Sequence, residues 1–518
     1  MKKKGGSSVG KVRKAALQRV VLVALSLLLQ LGVFLITVFW LSDYRQWIMG
    51  LLTALSVIAV VYVLYDRTNS SYKIAWIILI LALPVAGVTI YMIFGGRRLN
   101  RFQRKRMQRA EELIRENLWQ EKITMESLQE LSDPAAAQAR YLLNVCSFPV
   151  YDNTDTEYFA LGDLVYPRML QELEQAQKYI FLEYFIIGKG VMWEGILQIL
   201  RKKASQGVDV RVMYDDFGSI QTLPSGYARQ LKKWGIRAKK FNPFIPVLSG
   251  RLNNRNHRKL MIIDGKVGFT GGLNLADEYI NQRQRFGHWK DCAILLRGEG
   301  VWSMTVQFLS MWDSQTGEDE DLSGFKPEYP YRLAGGDGFV QPFADTPLDR
   351  EDIAETVLLN LFQRATKSIY IMTPYLILDD KITGALLTAA KSGVDVRIIT
   401  PHVPDKWYVH MVSRAHYPML AEAGVRIYEY TPGFIHSKVY LIDDRCGMVG
   451  TVNLDFRSLY LHFENAVYLY DANCIGAMGD DFRNTFEQCE EITLRKSQST
   501  NLWLRLLQSL LRIFSPLM

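Results

Sequence analysis

The chain contains 518 residues, of which 49% are hydrophobic, and carries a formal net charge of +8. This length accommodates two or three domains with a well-developed core. The five cysteines (Cys146, Cys292, Cys446, Cys474 and Cys489) are odd in number and show no C-x-x-C spacing. These features argue against a disulfide framework or a zinc ribbon, so we expect reduced thiols.

The positive charge is concentrated in two blocks. The first lies in a basic N-terminal tail at residues 1–19, and the second lies at residues 97–109. Such blocks suit either anionic lipid headgroups or nucleic-acid phosphates. Because each block adjoins an apolar segment, we expect an anionic phospholipid bilayer as the partner and no nucleic acid.

Residues 20–95 are predicted to form a membrane region with two or three transmembrane helices. Three segments without charged residues, Val20–Leu41, Trp47–Tyr65 and Ile74–Phe94, are each long enough to span a bilayer. A buried core helix is the alternative for any one of them. Three crossings would place the two basic blocks on opposite sides, against the positive-inside tendency. Either one segment is re-entrant or interfacial, or one block is outside. We favour a multi-pass arrangement with both blocks and the catalytic domain in the cytoplasm.

Residues 96–140 are predicted to form a basic helical linker. From residue 99 the segment is rich in Arg, Glu, Gln and Leu and contains no Gly or Pro before Pro134. We expect it to lie near the headgroups, and a solvated helix is the alternative.

The remainder is an internal duplication, with one repeat at 141–325 and a second at 326–495. Gly207–Val212 (GVDVRV) returns as Gly393–Ile398 (GVDVRI), at the same place within each repeat. Each repeat is predicted to contain a strand, an amphipathic helix, a short apolar strand, a helix, a strand and then a motif strand. This alternation predicts an α/β fold of two pseudo-symmetric repeats, each a mixed sheet flanked by helices, behind N-terminal transmembrane helices.

A histidine–lysine–aspartate motif ends each repeat's predicted strand series. In the first repeat it consists of His257, Lys259 and Asp264, followed by Gly271 and Asn274. The second copy has the same spacing and consists of His436, Lys438 and Asp443, followed by Gly450 and Asn453. If the repeats pack around a pseudo-twofold axis, both motifs reach one cleft.

Two histidines and two lysines at one site suit the cleavage and re-formation of a phosphodiester without a metal. One imidazole attacks phosphorus and the other protonates the leaving alcohol, while the lysines, Asn274 and Asn453 stabilise the phosphate oxygens. We count Asp264 and Asp443 in the catalytic motif and expect their role to be structural. No cluster of Asp, Glu and His has metal-ligand spacing, so we expect neither a metal nor a cofactor.

Other polar residues near the motifs are secondary candidates. Asp291 and Glu464 are expected to fix the tautomers of the motif histidines. The other five histidines are predicted to be surface or supporting groups: His288, His402, His410, His416 and His462. Five basic residues are predicted to lie at the surface, with headgroup binding as the alternative: Arg255, Arg258, Lys266, Arg445 and Arg457.

Two further segments are predicted to be apolar surfaces. Residues 244–250 form an apolar loop before the first motif, which contacts acyl chains or packs on its own domain. Residues 496–518 contain leucines, Trp503 and Phe514 at helical spacing, with Pro516 ending the helix. This pattern predicts an amphipathic, membrane-associated helix, and docking on the protein core is the alternative.

The paired motifs resemble those of the phospholipase D superfamily. Three short segments of this chain are similar in sequence to bacterial cardiolipin synthases of that superfamily: Arg255–Lys259, Gly271–Asn274 and Asp455–Ser458. The resemblance implies a bacterial plasma-membrane phosphatidyltransferase that joins two phosphatidylglycerol molecules into cardiolipin and releases glycerol. It also implies that His257 is the nucleophile and His436 the general acid.

The chain departs from this family in two respects. Val20–Leu41 looks like an addition to a two-segment membrane region, which puts the topology in doubt. His288 and His462 stand where the family more often has Tyr and Asn.

Three alternative functions remain. A phospholipase D, or a phosphatidyltransferase that uses a different headgroup alcohol, is compatible with the motifs. A nucleic-acid phosphodiesterase is disfavoured by the membrane segments and by the lack of basic residues interleaved with aromatic ones near the motifs. A non-catalytic lipid-binding scaffold is disfavoured because both motifs are intact. The oligomeric state is left open.

Overall fold

The computed structural model describes residues 6–66, 69–95, 101–243, 254–329, 338–349, 351–499 and 501–517. The helices within these ranges are α1 (Gly6–Phe39), α2 (Arg45–Tyr65), α3 (Ser70–Ala82), α4 (Pro84–Phe94), α5 (Arg101–Asn117), α6 (Lys122–Leu131), α7 (Asp133–Cys146), α8 (Gly162–Glu174), α9 (Val191–Ser205), α10 (Tyr227–Lys233), α11 (Gly300–Thr316), α12 (Ile353–Arg364), α13 (Asp380–Lys391), α14 (Trp407–Glu422), α15 (Phe456–Tyr460), α16 (Cys474–Phe486), α17 (Leu494–Gln498) and α18 (Leu502–Phe514).

The strands are β1 (Thr154–Phe159), β2 (Tyr179–Tyr184), β3 (Asp209–Asp215), β4 (Arg237–Phe241), β5 (Leu260–Ile263), β6 (Val267–Gly271), β7 (His288–Lys290), β8 (Ala293–Gly298), β9 (Phe339–Asp345), β10 (Ser368–Met372), β11 (Asp395–Pro401), β12 (Arg426–Tyr430), β13 (Gly433–Ile435), β14 (Val439–Ile442), β15 (Cys446–Gly450), β16 (Glu464–Tyr470) and β17 (Cys489–Glu491). Short 3₁₀ turns lie at Ser42–Tyr44, Asp277–Ile280, Leu322–Phe325 and Ser515–Leu517.

Each repeat is built on one mixed sheet. The first has the order β1-β8-β6-β5-β2-β3-β4, and the second has the order β17-β12-β11-β10-β14-β15-β16-β9. In both, three strands run parallel (β2-β3-β4 and β10-β11-β12) and the motif strand joins them antiparallel. The motif strands β5 and β14 are buried along their whole length, as expected for short apolar runs covered on both faces. The predicted two-repeat α/β fold is confirmed.

The two repeats meet along a buried helix and a two-stranded ladder. Helix α11 is buried from Gly300 to Ser314 and packs in the same core as β5, β8 and β9. Its polar side chains, such as Ser303 and Gln307, are buried together with its apolar ones, so the helix belongs to the interior on every side. The ladder pairs β7 of the first repeat with β13 of the second in parallel. A Cβ atom at Gly433 would lie 2.4 Å from backbone atoms of His288, so this close approach requires glycine.

The linker differs from the single helix that we expected. It forms three helices, α5, α6 and α7, and Pro134 lies in the first turn of α7 instead of ending a helix. Proline is tolerated there because a first-turn N–H has no intrahelical partner. Helix α7 continues to Cys146, past the expected boundary at 140. Helix α5 packs on α11 and buries Ala110 and Leu113, so this face of the linker covers the first repeat.

The third apolar segment is a broken helix that folds back on itself. Leu83 separates α3 from α4, and Pro84 is the first residue of α4. Because proline has no N–H to donate, the helix cannot continue unbroken through this position. The hydroxyl of Tyr72, near the start of α3, donates to the carbonyl oxygen of Gly95 beyond α4 at 3.4 Å. The rings of Trp76 and Tyr91 lie 5.1 Å apart between the two arms. The ends of this hairpin therefore lie together.

Helix α1 also contacts this hairpin. Oε1 of Gln30 in α1 accepts a hydrogen bond from the backbone N–H of Val85 at 2.8 Å, so it caps the first turn of α4. Among the described residues, Arg45–Tyr65 is the helix that is long and apolar enough to cross a membrane. Shorter apolar helices lie at Val21–Thr37 and in the hairpin, whose arms of 13 and 11 residues are about 20 and 17 Å long.

The carboxyl-terminal helix α18 has an exposed apolar face and contacts both α14 of the second repeat and α3 of the hairpin. Trp503 is 79% exposed and Leu502 is 70% exposed. The base of the hairpin is also tied to the second repeat, because Nδ2 of Asn69 donates to the hydroxyl of Tyr460 at 2.8 Å. The hairpin, α18 and the second repeat thus form one connected surface.

Candidate active site

The two motif loops meet at the junction between the repeats. The backbone N–H of His257 donates to the carbonyl oxygen of Phe463 at 2.9 Å, and that of His436 donates to the carbonyl oxygen of Lys290 at 2.7 Å. Each histidine lies three positions before its own motif strand and is held by the backbone of the opposite repeat. This exchange is reciprocal, as the pseudo-twofold arrangement of the repeats requires.

Each motif histidine is hydrogen-bonded to a carboxylate from the other repeat. Nδ1 of His257 lies 2.9 Å from both carboxylate oxygens of Glu464, and Nδ1 of His436 lies 2.6 Å from Oδ2 of Asp291. Both carboxylates are completely buried. We assign the imidazole proton to Nδ1 from these contacts, which leaves Nε2 for chemistry. The sequence singled out both carboxylates but left open which histidine each one contacts.

The two motif lysines are buried beside the histidines. Nζ of Lys259 donates to the carbonyl oxygen of His257 at 2.6 Å, and Nζ of Lys438 donates to the carbonyl oxygen of His436. Burial lowers the pKa of Lys259 to about 7 and that of Lys438 to about 8. Glu464 opposes the shift at Lys259, and Asp291 opposes it at Lys438.

Both motif histidines have pKa values far below that of a free imidazole. Burial, followed by the charges of Lys259 and Lys438, lowers the pKa of His257 well below its usual value. Burial and the charge of Lys438 lower the pKa of His436 to about 4, although Asp291 opposes the shift. A phosphodiester monoanion bound between them adds one negative charge and therefore favours one proton on an imidazole. Substrate binding and protonation of the site are coupled in this way.

The two motif asparagines are buried, and Asn274 is linked to His436 through Tyr279. Oδ1 of Asn274 accepts from the backbone N–H of Ile186 at 2.9 Å, and its amide donates to Tyr279, whose ring lies 5.6 Å from that of His436. The amide of Asn453 donates to Asp455 at 3.2 Å, and its buried Oδ1 has no partner within the described part of the chain. Asn274 therefore braces the residues around the site.

The motif aspartates lie at the far end of their strands. Asp264 accepts hydrogen bonds from the backbone N–H groups of Gln177, Lys178 and Tyr179 at 2.7–2.8 Å, just where β2 begins. Asp443 binds the backbone before and at the start of β10 in the same way. Asp264 lies five positions after Lys259 along the strand, which corresponds to about 17 Å. These contacts are structural, as expected for the aspartates, and do not reach the imidazoles.

Two supporting residues were missed by the sequence reasoning. The hydroxyl of Thr451 donates to Glu464, which fixes the carboxylate that faces His257. Oδ1 of Asn465 accepts from the backbone N–H of Lys259 at 3.2 Å. The available signal was adjacency, since Thr451 follows the motif glycine and Asn465 follows Glu464.

The surface position predicted for two arginines is wrong. Arg255 is 2% exposed and Arg258 is 5% exposed. Arg255 lies 3.3 Å from Oδ2 of Asp215 and donates to the carbonyl oxygen of Asn242, while Arg258 donates to the carbonyl oxygen of Glu464 at 3.1 Å. A guanidinium can be buried when it is paired with a carboxylate or hydrogen-bonded to carbonyl oxygens, as these two are. Both arginines hold the first motif loop against its surroundings.

Of the remaining histidines, His462 lies closest to the chemistry. Its ring centre is 5.4 Å from that of His257, and Arg457 donates to its Nε2 at 3.3 Å. His257, His462 and Glu464 bring potential ligand atoms within 4.8 Å of one another, so these described residues could hold a metal ion. Sequence spacing could not show this group, because His257 and Glu464 are 207 residues apart. Residues 244–250, the predicted apolar loop, lie outside the described residues.

The two-repeat sheet architecture, with one histidine–lysine motif from each repeat at a shared cleft, defines a phospholipase-D-like protein. The family described as "Cardiolipin synthase, PLD-like domain" matches residues 169–287 and 358–489, and "Phospholipase_D-nuclease N-terminal" matches residues 54–96. By this match and the full-length relatives below, the chain belongs to the cardiolipin synthase family.

Several relatives match over nearly the whole chain. An uncharacterised protein of Streptococcus mutans is 41% identical over 89% of this chain and 99% of its own length. The cardiolipin synthase of Alkalihalophilus pseudofirmus is 34% identical over 92% of this chain and 95% of its own length, and cardiolipin synthase 2 of Bacillus anthracis is 36% identical over 88% of each. The crystal structure of phosphatidylserine synthase from Haemophilus influenzae is similar in fold, with a TM-score of 0.54 and 16% identity, and covers 74% of this chain and 98% of its own.

Proposed function

We propose that this protein is a membrane-bound cardiolipin synthase that transfers a phosphatidyl group between two phosphatidylglycerol molecules and yields cardiolipin and glycerol. The observation that carries the proposal is the reciprocal pairing of His257 with Glu464 and of His436 with Asp291, beside two buried lysines. This arrangement supplies two oriented imidazoles and a cationic phosphate site, as a double displacement at phosphorus requires. Full-length relatives named cardiolipin synthase support the choice of reaction.

In the first half-reaction, Nε2 of His257 attacks the phosphorus of the donor lipid. The bond between phosphorus and the headgroup glycerol oxygen breaks, and Nε2–H of protonated His436 delivers a proton to that oxygen. Glu464 stabilises the positive charge that develops on His257. Lys259 and Lys438 stabilise the negative charge on the non-bridging oxygens. The products are a phosphohistidine and free glycerol.

In the second half-reaction, a hydroxyl of the acceptor phosphatidylglycerol enters where glycerol left. His436, now neutral, accepts its proton while the oxygen bonds to phosphorus and the bond to His257 breaks. One phosphodiester replaces another, so the exchange needs no nucleotide, and glycerol escapes into water. Hydrolysis is suppressed to the extent that the closed junction between the repeats keeps water from the phosphohistidine.

We further propose that the protein is multi-pass, with α1 and α2 crossing the bilayer and the α3–α4 hairpin re-entrant. This arrangement returns the chain to the side of the N-terminal basic block and keeps both blocks and the catalytic repeats in the cytoplasm. A membrane-impermeant maleimide should then label Asp43→Cys, but not Asp66→Cys, in intact cells. Labelling of both or of neither would contradict this topology.

The proposed domain organisation follows from these assignments. A tail at 1–19, a membrane region at 20–95 and a linker from 96 to the end of α7 precede the repeats, which end at 325 and 495. Residues 496–518 form the membrane-associated helix, whose exposed leucines and Trp503 suit an anionic phospholipid surface.

The test is turnover of phosphatidylglycerol by purified protein in mixed micelles, with cardiolipin, phosphatidic acid and glycerol measured together. We expect cardiolipin and glycerol in equal amounts from the wild type, and neither from His257→Ala or His436→Ala. The matched control is His410→Ala, a histidine on α14 outside both motifs, which should retain turnover. Phosphatidic acid as the main product would identify a phospholipase D instead, and activity in the motif variants would contradict the shared site.

A further inference from the structure

The catalytic reaction requires a second anion site that the motifs do not supply. This inference rests on the function proposed above. In that reaction the phosphate of the donor lipid binds Lys259 and Lys438, and the acceptor lipid carries a second phosphate. That second phosphate is separated from the attacking hydroxyl by the length of the acceptor's glycerol. A cation is therefore needed at the mouth of the cleft, on the side from which the alcohol approaches.

Lys406 lies at this place. It follows β11 and immediately precedes α14, and β11 runs parallel to β10, so both end at the sheet edge where Lys438 begins the antiparallel motif strand. Nζ of Lys406 lies 5.1 Å from the centre of the Tyr375 ring and 3.5 Å from its hydroxyl. Tyr375 packs against the apolar cluster that contains Tyr279. The ring of Tyr279 in turn lies 5.6 Å from that of His436.

The ammonium group of Lys406 is positioned and accessible. Its side chain is 48% exposed, and the carboxylate that it pairs with, Asp405 at 3.7 Å, accepts a hydrogen bond from the hydroxyl of Tyr375 at 2.7 Å. Its charge reaches the reaction centre, since Lys406 is among the cations that lower the pKa of His257. Part of this charge therefore remains available to a ligand at the mouth.

The residue next to Lys406 suits a position near lipid phosphates. Trp407 is 64% exposed, and aromatic residues of this kind favour the interface between headgroups and acyl chains. The matching loop of the first repeat, after β3, instead presents Phe217, which is 44% exposed, and Asp216, which is paired with Lys240 at 2.6 Å. Among the described residues, the cleft is thus symmetric at the histidines, whereas at its mouth the exposed cation Lys406 lies on the repeat that carries His436.

We propose that Lys406 binds the phosphodiester of the acceptor phosphatidylglycerol and so selects a lipid, rather than water or a free alcohol, as the second substrate. The incoming hydroxyl is activated by His436, and Lys406 belongs to the same repeat. The lysine contributes mainly to the second half-reaction, and its weaker effect on His257 is common to both half-reactions.

Two reactions of the same protein separate these half-reactions. Cardiolipin formation from phosphatidylglycerol needs both lipid sites, whereas exchange of radiolabelled glycerol into phosphatidylglycerol needs only the donor site and the phosphohistidine. In Lys406→Ala we expect cardiolipin formation to fall about 10- to 100-fold, the loss typical of a charge-assisted contact. Glycerol exchange should stay within about twofold of the wild type, and Lys406→Arg should restore cardiolipin formation. The matched control is Lys202→Ala, an exposed lysine on α9.

The acceptor site and the proposed function can fail separately. Equal loss of both reactions in Lys406→Ala, or unchanged cardiolipin formation, would overturn the acceptor site. A wild-type protein that exchanges glycerol but makes no cardiolipin from phosphatidylglycerol would instead overturn the proposed function. Retained exchange also shows that the variant is folded.

Discussion

The exchanged carboxylates allow the two histidine roles to be tested separately. Asp291→Asn and Glu464→Gln keep the size of each side chain but remove its charge. An amide can donate to Nδ1, which moves the imidazole proton to Nε2 and leaves the imidazolium without a counter-charge. For His257 this removes the lone pair that attacks phosphorus. For His436 it lowers the population of the protonated acid.

We expect each variant to lose about 10²- to 10⁴-fold in kcat with phosphatidylglycerol, equivalent to about 3–5 kcal/mol of transition-state stabilisation. The upper part of the range applies because both carboxylates are fully buried and their contacts to Nδ1 are 2.6–2.9 Å long. Thr451 also donates to Glu464, so a glutamine there turns its oxygen to Thr451 and its amide N–H to Nδ1 of His257, which enforces the shifted tautomer.

A substrate with a better leaving group distinguishes the two variants. Nitrophenolate departs without protonation, so a phosphatidyl nitrophenyl ester does not need a general acid. In a single turnover with this ester, Asp291→Asn should release nitrophenol within about tenfold of the wild-type rate. Glu464→Gln should remain impaired by about 10²-fold or more, because its nucleophile is affected. The reverse pattern would refute the assignment of His257 as nucleophile, and equal recovery of both variants would refute the orienting role of the carboxylates.

Three further predictions follow from the same geometry. Lys259 and Lys438 have pKa values lowered by burial to about 7 and about 8, and a lysine is charged only below its pKa. The kcat/KM for phosphatidylglycerol should therefore fall as the pH rises through this range, and a flat profile up to pH 9 would contradict it. Asp443→Ala should lower the free energy of unfolding by about 1–3 kcal/mol in chemical denaturation, because three backbone N–H groups lose their acceptor. Partial burial raises the pKa of Asp443, but these hydrogen bonds lower it overall. The difference in unfolding free energy between the variant and the wild type should therefore be complete above about pH 4 and shrink below it. A difference that stays constant with pH would contradict this account. In the reconstituted wild type, lipids brominated near the headgroup should quench the fluorescence of Trp503, so Trp503→Phe should show less quenching. Equal quenching in the wild type and the variant would place α18 away from the bilayer.

The sequence was sufficient for the repeats because both copies carry the same strand pattern and motif spacing. The run Leu260–Ile263 is short, apolar and followed by Asp264, and these features specify a buried strand that ends at a polar turn. The carboxylate exchange could not be predicted. Asp291 and Glu464 are equivalent by sequence position, and only the packing of the repeats determines which imidazole each one contacts.

Other features depend on tertiary contacts that sequence periodicity does not report. Segment Ile74–Phe94 is uniformly apolar, so its fold-back at Pro84 depends on contacts such as that between Gln30 and Val85. Arg255 is charged and was therefore expected at the surface, whereas the buried Asp215 beside it makes an interior position acceptable. Helix α11 carries Ser303, Gln307 and Ser310 on one face, a pattern typical of an exposed helix face. That face is nevertheless buried, because the two sheets enclose the helix.

The exchange of carboxylates also means that neither repeat, as a separate fragment, carries a complete catalytic histidine. A fragment with the first repeat has His257 without its glutamate, and a fragment with the second has His436 without its aspartate. Two fragments cut between the repeats should each be inert and regain turnover only on association, so catalysis reports docking directly. A substitution that loosens the α11 junction would accordingly silence the enzyme while leaving every catalytic side chain in place.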